Sequence, residues 1–300
     1  MSGPHVTIIV LNWNGGRETL DCLASLRRVD YPRFDVVVVD NGSEDGSPRA
    51  IRERFPEVTL IETGENLGFT GGNNVGIRHA LERGSDYLLL LNHDTEVAPD
   101  FLARLVEVTE AEPDVGMAGP LIYYHARPNH LWSAGGIVDR RRGEARMLGI
   151  GQRVDGAFRQ VREVGFVSGC ALLVKAPVVA RIGLLDDRFF AYYEEVEWCW
   201  RARRAGYRIV VVPQARVWHK ISPEARAASP TVHYYMTRNR LLFLRLAGLG
   251  WRAWFHALVL EDLRTLLSWT LKPKWRHKGP QRRAMLQALW DFGRGRLGRR

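Results

Sequence analysis

The sequence predicts an α/β protein built on a mostly parallel sheet. In the first 120 residues, short apolar runs alternate with amphipathic segments of helical length, and this alternation is typical of strand–helix–strand units. The runs are almost continuously apolar, as in strands that are covered on both faces. Hydrophobic residues make up 46% of the 300 residues and charged residues 25%, which excludes a disordered or fibrous chain.

Four strands and four helices are predicted in this first part of the chain. The strands are expected, in chain order, at Val6–Leu11, Phe34–Val39, Tyr87–Leu91 and Val115–Ala118. The helices are expected between these strands, at Glu18–Arg28, Gly46–Phe55, Asn73–Arg83 and Pro99–Glu112. Gly84 would end the third helix, and Pro99 would lie in the first turn of the fourth.

The alternation breaks in residues 120–163, which are rich in Gly and Arg. The remaining elements are expected as an apolar segment at Val164–Val174, a helix at Glu194–Ala205, a strand at Arg208–Val212, and two helices rich in Leu, Trp and Phe at Val232–Leu246 and Trp251–Leu271. The uncharged stretches of these last helices are far shorter than the ~20 residues that span a bilayer. We therefore expect no helix that crosses a membrane.

The net charge of +10 lies almost entirely in the C-terminal tail. Residues 272–300 contain ten Lys or Arg and one acidic residue, Asp291, so the rest of the chain is close to neutral. Most of the Trp residues that cluster late in the sequence fit helix packing, but together with the basic residues they also fit helices that lie on an anionic membrane. Nothing in the sequence resembles a module that reads nucleic acid, so we expect no nucleic-acid partner.

The cysteines and the N-terminal residues predict a cytoplasmic location. Cys22, Cys170 and Cys199 form neither a disulfide framework nor a CxxC metal motif, which favours a reducing compartment. The first five residues lead directly into a strand-like segment, without the charged and apolar regions of a signal peptide.

Polar residues directly follow three of the predicted strands, at Asn12–Gly16, Asp40–Ser43 and Asn92–Thr95. Because ligands of open α/β sheets bind outside the carboxyl ends of the strands, we expect these loops to meet at one rim. A nicotinamide-binding domain is disfavoured, since Gly15-Gly16 does not form the G-x-G-x-x-G pattern.

Five linked motifs resemble family 2 glycosyltransferases over about residues 5–220. They are the first strand and its loop at Val6–Gly16, VVVVDNGSEDGS at Val36–Ser47, ENLGFTGGNNVGI at Glu65–Ile77, LLLLNHDTEV at Leu88–Val97, and the late pair FFAYYEEVEWCWRARRAGYRI at Phe189–Ile209 with VWHK at Val217–Lys220. The likeness is strongest to a bacterial rhamnosyltransferase-like branch that builds cell-surface polysaccharides. The resemblance implies a GT-A fold, with a Rossmann-like sheet and a helical C-terminal extension. It implies a glycosyltransferase domain at residues 1–225, with a donor half at about 1–120 and an acceptor half at about 120–225, followed by a basic helical segment at 226–300.

The resemblance also implies which residues bind the nucleotide sugar. Asp40 would accept hydrogen bonds from the base or ribose, although an Asp at a strand end can instead bond its own turn. The other expected donor contacts are Asn12, Asn14 and Asn41 beside Asp40, and Gly68, Asn73 and Asn74 in the glycine-rich segment. That segment opens a helix, so its free N–H groups could attract phosphate, while Asn73 or Asn74 could simply cap the helix.

Asn92-His93-Asp94 stands where the family has an Asp-x-Asp metal motif. The resemblance implies that Asp94, with Asn92 beside it, faces the donor diphosphate and a divalent cation, Mg²⁺ or Mn²⁺, which prefers oxygen ligands. His219 after Trp218 matches a metal-binding His of related members, although a lone His is more often structural. Asn92 replaces a carboxylate, so the donor diphosphate would have to serve as a further ligand.

The two acids at Glu194 and Glu195 open a predicted helix, where acidic residues are favoured by the helix dipole in any case. Neighbouring helical residues lie about 100° apart around the axis, so only one of the two can fill a given position. The resemblance implies that Glu195 is the general base and leaves Glu194 to bind an acceptor hydroxyl.

Together these expectations describe an inverting, metal-dependent glycosyltransferase. It would move a sugar, with rhamnose as one candidate, from a nucleotide-diphosphate sugar to a saccharide or polyprenyl-linked saccharide at the inner face of the cytoplasmic membrane. A sugar nucleotidyltransferase is the first alternative and would release pyrophosphate from a nucleoside triphosphate. A non-catalytic transferase-like scaffold is the second, and turnover distinguishes it.

Overall fold

A computed structural model describes residues 3–154, 158–221 and 227–300. Within these ranges, a ten-stranded sheet is flanked by helices, and a separate two-stranded sheet lies beside it. This architecture confirms the predicted fold class, a mostly parallel α/β sheet followed by C-terminal helices.

The strands are β1 (Val6–Asn12), β2 (Phe34–Asp40), β3 (Thr59–Glu62), β4 (Tyr87–Asn92), β5 (Thr95–Val97), β6 (Val115–Tyr124), β7 (Arg127–Ser133), β8 (Gly136–Asp139), β9 (Glu144–Met147), β10 (Arg162–Glu163), β11 (Ala171–Lys175) and β12 (Arg208–His219). The helices are α1 (Gly16–Leu26), α2 (Ser47–Arg54), α3 (Gly68–Glu82), α4 (Phe101–Ala111), α5 (Ala176–Ile182), α6 (Glu194–Arg204), α7 (Pro230–Leu246), α8 (Trp251–Phe255), α9 (Arg264–Leu271) and α10 (Gly279–Gly293). A π-helical segment, His256–Leu263, joins α8 directly to α9, and a 3₁₀ helix, Pro273–Lys278, precedes α10.

The main sheet has the strand order β10-β12-β6-β11-β4-β1-β2-β3. The strands β4, β1, β2 and β3 run parallel, so their carboxyl ends meet at one edge. In this register Asn12 pairs with Asp40, and Leu11 pairs with Asn92. Three polar strand ends that are far apart in the sequence therefore lie side by side, as the pattern of apolar runs predicts.

Both faces of β1 are buried, which explains its continuous apolar sequence. Ile9 and Leu11 enter one hydrophobic cluster, while Ile8 and Val10 enter the cluster on the opposite face. Phe243 and its neighbours in α7 belong to the cluster that contains Ile9. Part of the C-terminal helical segment thus shares a hydrophobic core with the sheet. The predicted boundaries near residue 120, between the donor and acceptor halves, and near residue 225, before the C-terminal segment, stay predictions.

Helix α3 begins at Gly68, five residues before its predicted start. Glycine has a poor helix propensity, so the glycine-rich first turns of α3 are not recognised as helical from the sequence. In the structure, however, a Cβ at Gly72 would lie 2.3 Å from Leu11 Cδ1, and one at Gly76 would lie 2.4 Å from Ile9 Cγ2. The missing side chains let α3 pack directly on β1, and this tertiary contact outweighs the local propensity.

The strand predicted to end at Val212 continues to His219. Its pairing with β6 shifts register between Val212 and Arg216, so that Pro213 and the two residues after it form a bulge. Proline cannot donate to a ladder of hydrogen bonds and therefore marks a strand end in the sequence, but a bulge accommodates it. The bulge allows one strand to carry His219 to the edge beside β5 and β6.

Residues 120–163, where the sequence pattern breaks, contain the end of β6 and several short strands. Strand β7 folds back antiparallel on β6, and β8 pairs antiparallel with β9.

In the described ranges, no helix is both long enough and apolar enough to cross a membrane.

We predict that Gly76→Ala lowers the free energy of unfolding by about 1–3 kcal/mol, because the new methyl group would displace the fully buried Ile9 or push α3 off β1. Urea denaturation at an unchanged m-value measures this loss. The matched control is Gly293→Ala at the end of α10, where a Cβ would meet no atom within 4 Å. Equal stability of Gly76→Ala and the wild type would contradict the close packing of α3.

Candidate active site

The carboxyl ends of β1 and β2 carry a dense hydrogen-bond network around Asp40. Asn12 Nδ2 donates to Asp40 Oδ1 at 2.6 Å, and the Ser43 amide donates to Asp40 Oδ2 at 3.0 Å. Asn12 Oδ1 accepts from the Thr19 hydroxyl at 2.6 Å. Asp40 and Asn12 are both buried. Asp40 therefore bonds the turn that follows it, which is the alternative role considered from the sequence. Its contact with a nucleotide stays a prediction.

The neighbouring asparagines fix the loops around this network. Asn41 Nδ2 donates to Gly68 O at 3.1 Å, and Asn41 Oδ1 accepts from the Leu67 amide at 3.0 Å. Asn14, which is exposed and has a φ of 51°, accepts from the Glu44 amide at 2.8 Å. Of the predicted donor residues here, Asn14 is the most accessible to a ligand.

Asn73 and Asn74 lie inside α3 and do not cap it. Asn73 Nδ2 donates to Phe69 O at 2.8 Å within the helix. Asn74 Nδ2 donates to Leu185 O at 2.9 Å and to Asp187 Oδ1 at 2.8 Å, while its Oδ1 accepts from the Leu185 amide at 3.1 Å. The Asn74 amide thus joins α3 to the segment that leads into α6. Its role as a donor contact stays a prediction.

A cavity of about 450 Å³ brings together the other predicted site residues. They come from three distant parts of the chain, and those that line the cavity are Asn92, Asp94, Glu194, Glu195 and His219. Asn12, Asn14, Asp40, Asn41, Gly68, Asn73 and Asn74 lie outside this cavity, in the network at the β1 and β2 ends or in α3. The acids at the start of α6 therefore share one cleft with the residues that follow β4.

The buried His219 and the partly buried Asp94 form a pair in the lining of this cavity. His219 Nε2 lies 3.1 Å from Asp94 Oδ2, and the His219 side chain is 4% exposed. The ring of Trp132 packs edge-on against His219, with ring centroids 4.6 Å apart. Burial opposes ionisation of Asp94, but the hydrogen bond and the charge of His219 outweigh it, so the pKa of Asp94 lies below its usual value. Asp94 is therefore an anion at neutral pH.

The atoms of this pair suit a cation. Asp94 Oδ1 and His219 Nδ1 are buried and have no hydrogen-bond partner within the described ranges. A carboxylate oxygen and an imidazole nitrogen are both ordinary ligands of divalent metals. The described ranges contain no group of three or more His, Cys, Asp or Glu residues that could hold a metal ion. Asp94 and His219 thus present atoms of the kind that bind cations, and no complete metal cage lies within the described ranges.

Glu194 and Glu195 occupy the first turn of α6, where the helix dipole favours negative charge. Glu194 is buried and Glu195 is partly exposed. The third acid of this turn, Glu197, faces away from the cavity and forms an ion pair with Arg201 at 2.8 Å. Burial raises the pKa of Glu197 in spite of that partner. The structure thus separates one structural acid from two acids that face the cavity.

The segment before α6, which we call the strap (residues 186–193), has an unusual backbone. Phe190, Tyr192 and Tyr193 have φ values of 65°, 69° and 73°. Non-glycine residues in this left-handed region cost of the order of 1 kcal/mol or more each, and they persist only where the surroundings hold them. The strap also packs closely against α3, since a Cβ at Gly68 would lie 2.6 Å from Phe190 O. Gly68 is therefore needed for this close approach.

Arg238 and Asn239 of α7 hold the strap, and sequence reasoning missed both. Asn239 Nδ2 donates to the carbonyls of Phe189, Ala191 and Tyr192 at 2.9, 2.7 and 2.8 Å. Arg238 Nη2 donates to the carbonyls of Arg188 and Phe189 at 3.1 and 3.0 Å. Both side chains are fully or almost fully buried. One signal was available, because the polar run Thr237–Arg240 interrupts an otherwise apolar stretch of predicted helix.

The mostly parallel sheet with a polar cavity at its edge fits the glycosyltransferase class, and the comparisons with known proteins agree. Residues 7–183 match the model of glycosyl transferase family 2, so the chain belongs to that family. The match favours a glycosyltransferase over the sugar nucleotidyltransferase considered from the sequence.

Two curated relatives are rhamnosyltransferases. An N-acetylglucosaminyl-diphospho-decaprenol L-rhamnosyltransferase of Mycobacterium tuberculosis is 28% identical over 290 residues, which cover 88% of each chain. The dTDP-rhamnosyl transferase RfbF of Shigella flexneri is 26% identical over 249 residues, which cover 80% of each chain. The predicted likeness to the rhamnosyltransferase branch is thereby confirmed.

A solved structure shows the same fold. The mannosyltransferase PcManGT from Pyrobaculum calidifontis, in complex with GDP-Man and Mn²⁺, superposes with a TM-score of 0.60 at 19% identity. The match covers 97% of this chain and 87% of that one.

We predict that Asn239→Ala loosens the strap and slows glycosyl transfer at saturating donor by at least about tenfold, because the carbonyls of Ala191 and Tyr192 lose their side-chain donor and that of Phe189 loses one of its donors. Hydrogen exchange should become faster for the amides of residues 186–195. The matched control is Thr109→Ala in α4, a buried polar residue whose hydroxyl bonds carbonyls of its own helix and makes no contact with the strap in the described ranges. Loss of stability in both variants, with unchanged turnover and strap exchange in Asn239→Ala, would contradict a positioning role.

Proposed function

We propose that this protein transfers a sugar, with inversion at the anomeric carbon, from a nucleotide-diphosphate sugar to a hydroxyl of a lipid-linked saccharide. The single observation that carries the proposal is the shared cavity. It is lined both by the anionic Asp94 with His219 and by the acids Glu194 and Glu195 at the start of α6. A transferase of this kind needs both features, because negative charge builds up on the departing diphosphate while a proton leaves the acceptor.

Rhamnose is our proposed sugar, and a nucleotide-diphosphate rhamnose is the proposed donor. The names of both curated relatives support this choice, and the Mycobacterium tuberculosis relative aligns with most of the chain. That relative's name also supports a polyprenyl-diphosphate-linked saccharide as acceptor. Such an acceptor favours a place at the inner face of the cytoplasmic membrane.

We propose that the nucleotide lies over the network at the ends of β1 and β2. Ligands of open α/β sheets bind outside the carboxyl ends of parallel strands, and Asp40 and Asn12 end the two strands there. Asn14, Asn41 and the start of α3 surround the same edge. This arrangement would direct the diphosphate toward Asn92 and Asp94 at the end of β4.

A divalent cation, Mg²⁺ or Mn²⁺, would be held by Asp94 and His219. The buried Asp94 Oδ1, which lacks a hydrogen-bond partner within the described ranges, and the imidazole of His219 beside the same carboxylate support this assignment. When bound, such a cation neutralises charge on the departing diphosphate. Two protein ligands leave coordination positions for donor oxygens, so the cation and the donor are expected to bind together.

Glu195 is our proposed general base, and Glu194 is proposed to hold an acceptor hydroxyl. The acceptor oxygen attacks the anomeric carbon and the bond to the diphosphate breaks, so the diphosphate leaves with the bonding electrons. The Glu195 carboxylate takes the hydroxyl proton as the new glycosidic bond forms. Partial exposure of Glu195 supports this role, because the base must be able to reach a hydroxyl that enters from solvent.

We predict that Glu195→Gln reduces transfer by about 100-fold to 10,000-fold, because the amide cannot accept the proton. Donor binding should change little. The donor is first identified by thermal shift with a panel of nucleotide sugars and Mn²⁺, since a ligand stabilises the fold to which it binds. Transfer is then measured as formation of the glycosylated acceptor.

Two further variants sharpen this test. Glu18→Gln makes the same chemical change at an exposed position of α1 and should keep full activity. Glu194→Gln should raise the acceptor KM more than it lowers kcat. Undiminished transfer by Glu195→Gln removes Glu195 from the mechanism, and a wild-type protein that binds donor without turnover would favour the scaffold alternative.

We predict that Asp94→Asn abolishes the part of donor affinity that depends on Mn²⁺. The substitution keeps the size of the side chain but removes the charge that would bind the cation. Calorimetry of donor binding with Mn²⁺ and with a chelator measures the effect, and Asp30→Asn, the same change at an exposed position after α1, is the control. Equal donor affinity of the wild type with and without metal would count against a cation at Asp94.

A further inference from the structure

A stripe of exposed apolar side chains runs along the outer helix, which we define as residues 251–271. This helix consists of α8, the π-helical segment and α9 without interruption. The side chains of the stripe recur at every fourth residue, with exposures of 73% for Trp251, 49% for Phe255, 38% for Val259, 48% for Leu263, 49% for Leu267 and 73% for Leu271.

The π-helical segment keeps this stripe on one side of the helix. In an α-helix, four residues advance about 40° beyond a full turn, so a spacing of four would wind steadily around the axis. The wider turn of a π-helix makes four residues fall short of a full turn. His256–Leu263 lies in the middle of the outer helix. The backward rotation of the stripe in this segment therefore opposes its forward rotation in the α-helical parts on either side.

The two acids of the outer helix, Glu261 and Asp262, both form ion pairs with Arg240 of α7. Asp262 is buried and bonds Arg240 at 2.6 Å, and Glu261 pairs with the same guanidinium. These ion pairs attach the helix to α7 through its inner face. In contrast, Arg252 and Arg264 are exposed.

The surroundings of the stripe are strongly basic. Lys272, Lys274 and Arg276 follow directly and are exposed. Beyond them, α10 adds an exposed Leu286 and Trp290 one turn apart, and Arg294 lies 4.1 Å from the Trp290 ring centre. Residues 272–300 hold ten basic residues and one acid, and that acid, Asp291, is buried against Tyr234.

We propose that the outer helix lies in the plane of an anionic lipid bilayer, with the stripe from Trp251 to Leu271 inserted among the lipids. An apolar stripe rimmed by Trp, Lys and Arg has the chemistry of an interfacial helix, and basic residues near anionic headgroups add to its affinity. A second copy of the chain fits less well, because two copies joined through this face would bring their basic rims together. The link to a lipid-linked acceptor rests on the proposed function, whereas binding to lipid does not.

The experiment is sedimentation with vesicles, using the full chain. We expect the wild type to bind vesicles that contain about one third phosphatidylglycerol, to bind phosphatidylcholine vesicles far more weakly, and to lose binding as salt increases. The double variant Leu263→Ser/Leu267→Ser should bind the anionic vesicles at least about tenfold more weakly, because two half-exposed apolar side chains no longer enter the lipid.

Ile150→Ser provides the matched control, because Ile150 is 54% exposed on a different part of the chain and should leave vesicle binding unchanged. Thermal shift by the donor reports on the active site separately, so a failure of lipid binding is distinguishable from a failure of the proposed function. Absence of vesicle binding by the wild type overturns the proposal. So does a dimer, detected by light scattering, that the double variant converts to a monomer.

Discussion

The hydrogen bonds from Arg238 and Asn239 to the strap are the interaction on which the site depends. The strap carries three left-handed non-glycine residues directly before the acids of α6. Such a backbone is unfavourable in isolation, so its geometry must be imposed from outside. Two neighbouring side chains of α7 supply the donors for its carbonyls. The C-terminal helical segment is therefore part of the scaffold that positions the acids.

The sheet edge and the start of α6 are built in different ways. Parallel strands in unbroken register bring Asn12, Asp40 and Asn92 to one edge of the sheet. The acids of α6, in contrast, follow a strap that is held between α3 and α7. Under the proposed function, the sheet edge faces the nucleotide sugar and the strap faces the acceptor.

The sequence predicts the parts of this site that local pattern determines. Buried parallel strands have a recognisable composition, so the strand ends at Asp40 and Asn92 could be aligned without coordinates. The start of α3 could not, because glycine is a poor helix former and only the close approach to β1 explains Gly72 and Gly76. The polar run that contains Asn239 was visible in the sequence, but its role could not be assigned, since its partners lie 47–50 residues away along the chain. Long-range hydrogen bonds leave no periodic trace in a sequence.

The bulge in β12 limits which insertions and deletions this strand can tolerate. From Val212 to Arg216 the strand advances four residues while its partner β6 advances one, from Pro120 to Leu121. The three surplus residues are an odd number, and side chains of a strand alternate between its faces. The bulge therefore inverts which side of the sheet each later residue occupies, including His219. An insertion or deletion of a single residue there would turn the imidazole away from Asp94, so the length of this short kink is under tighter constraint than its composition.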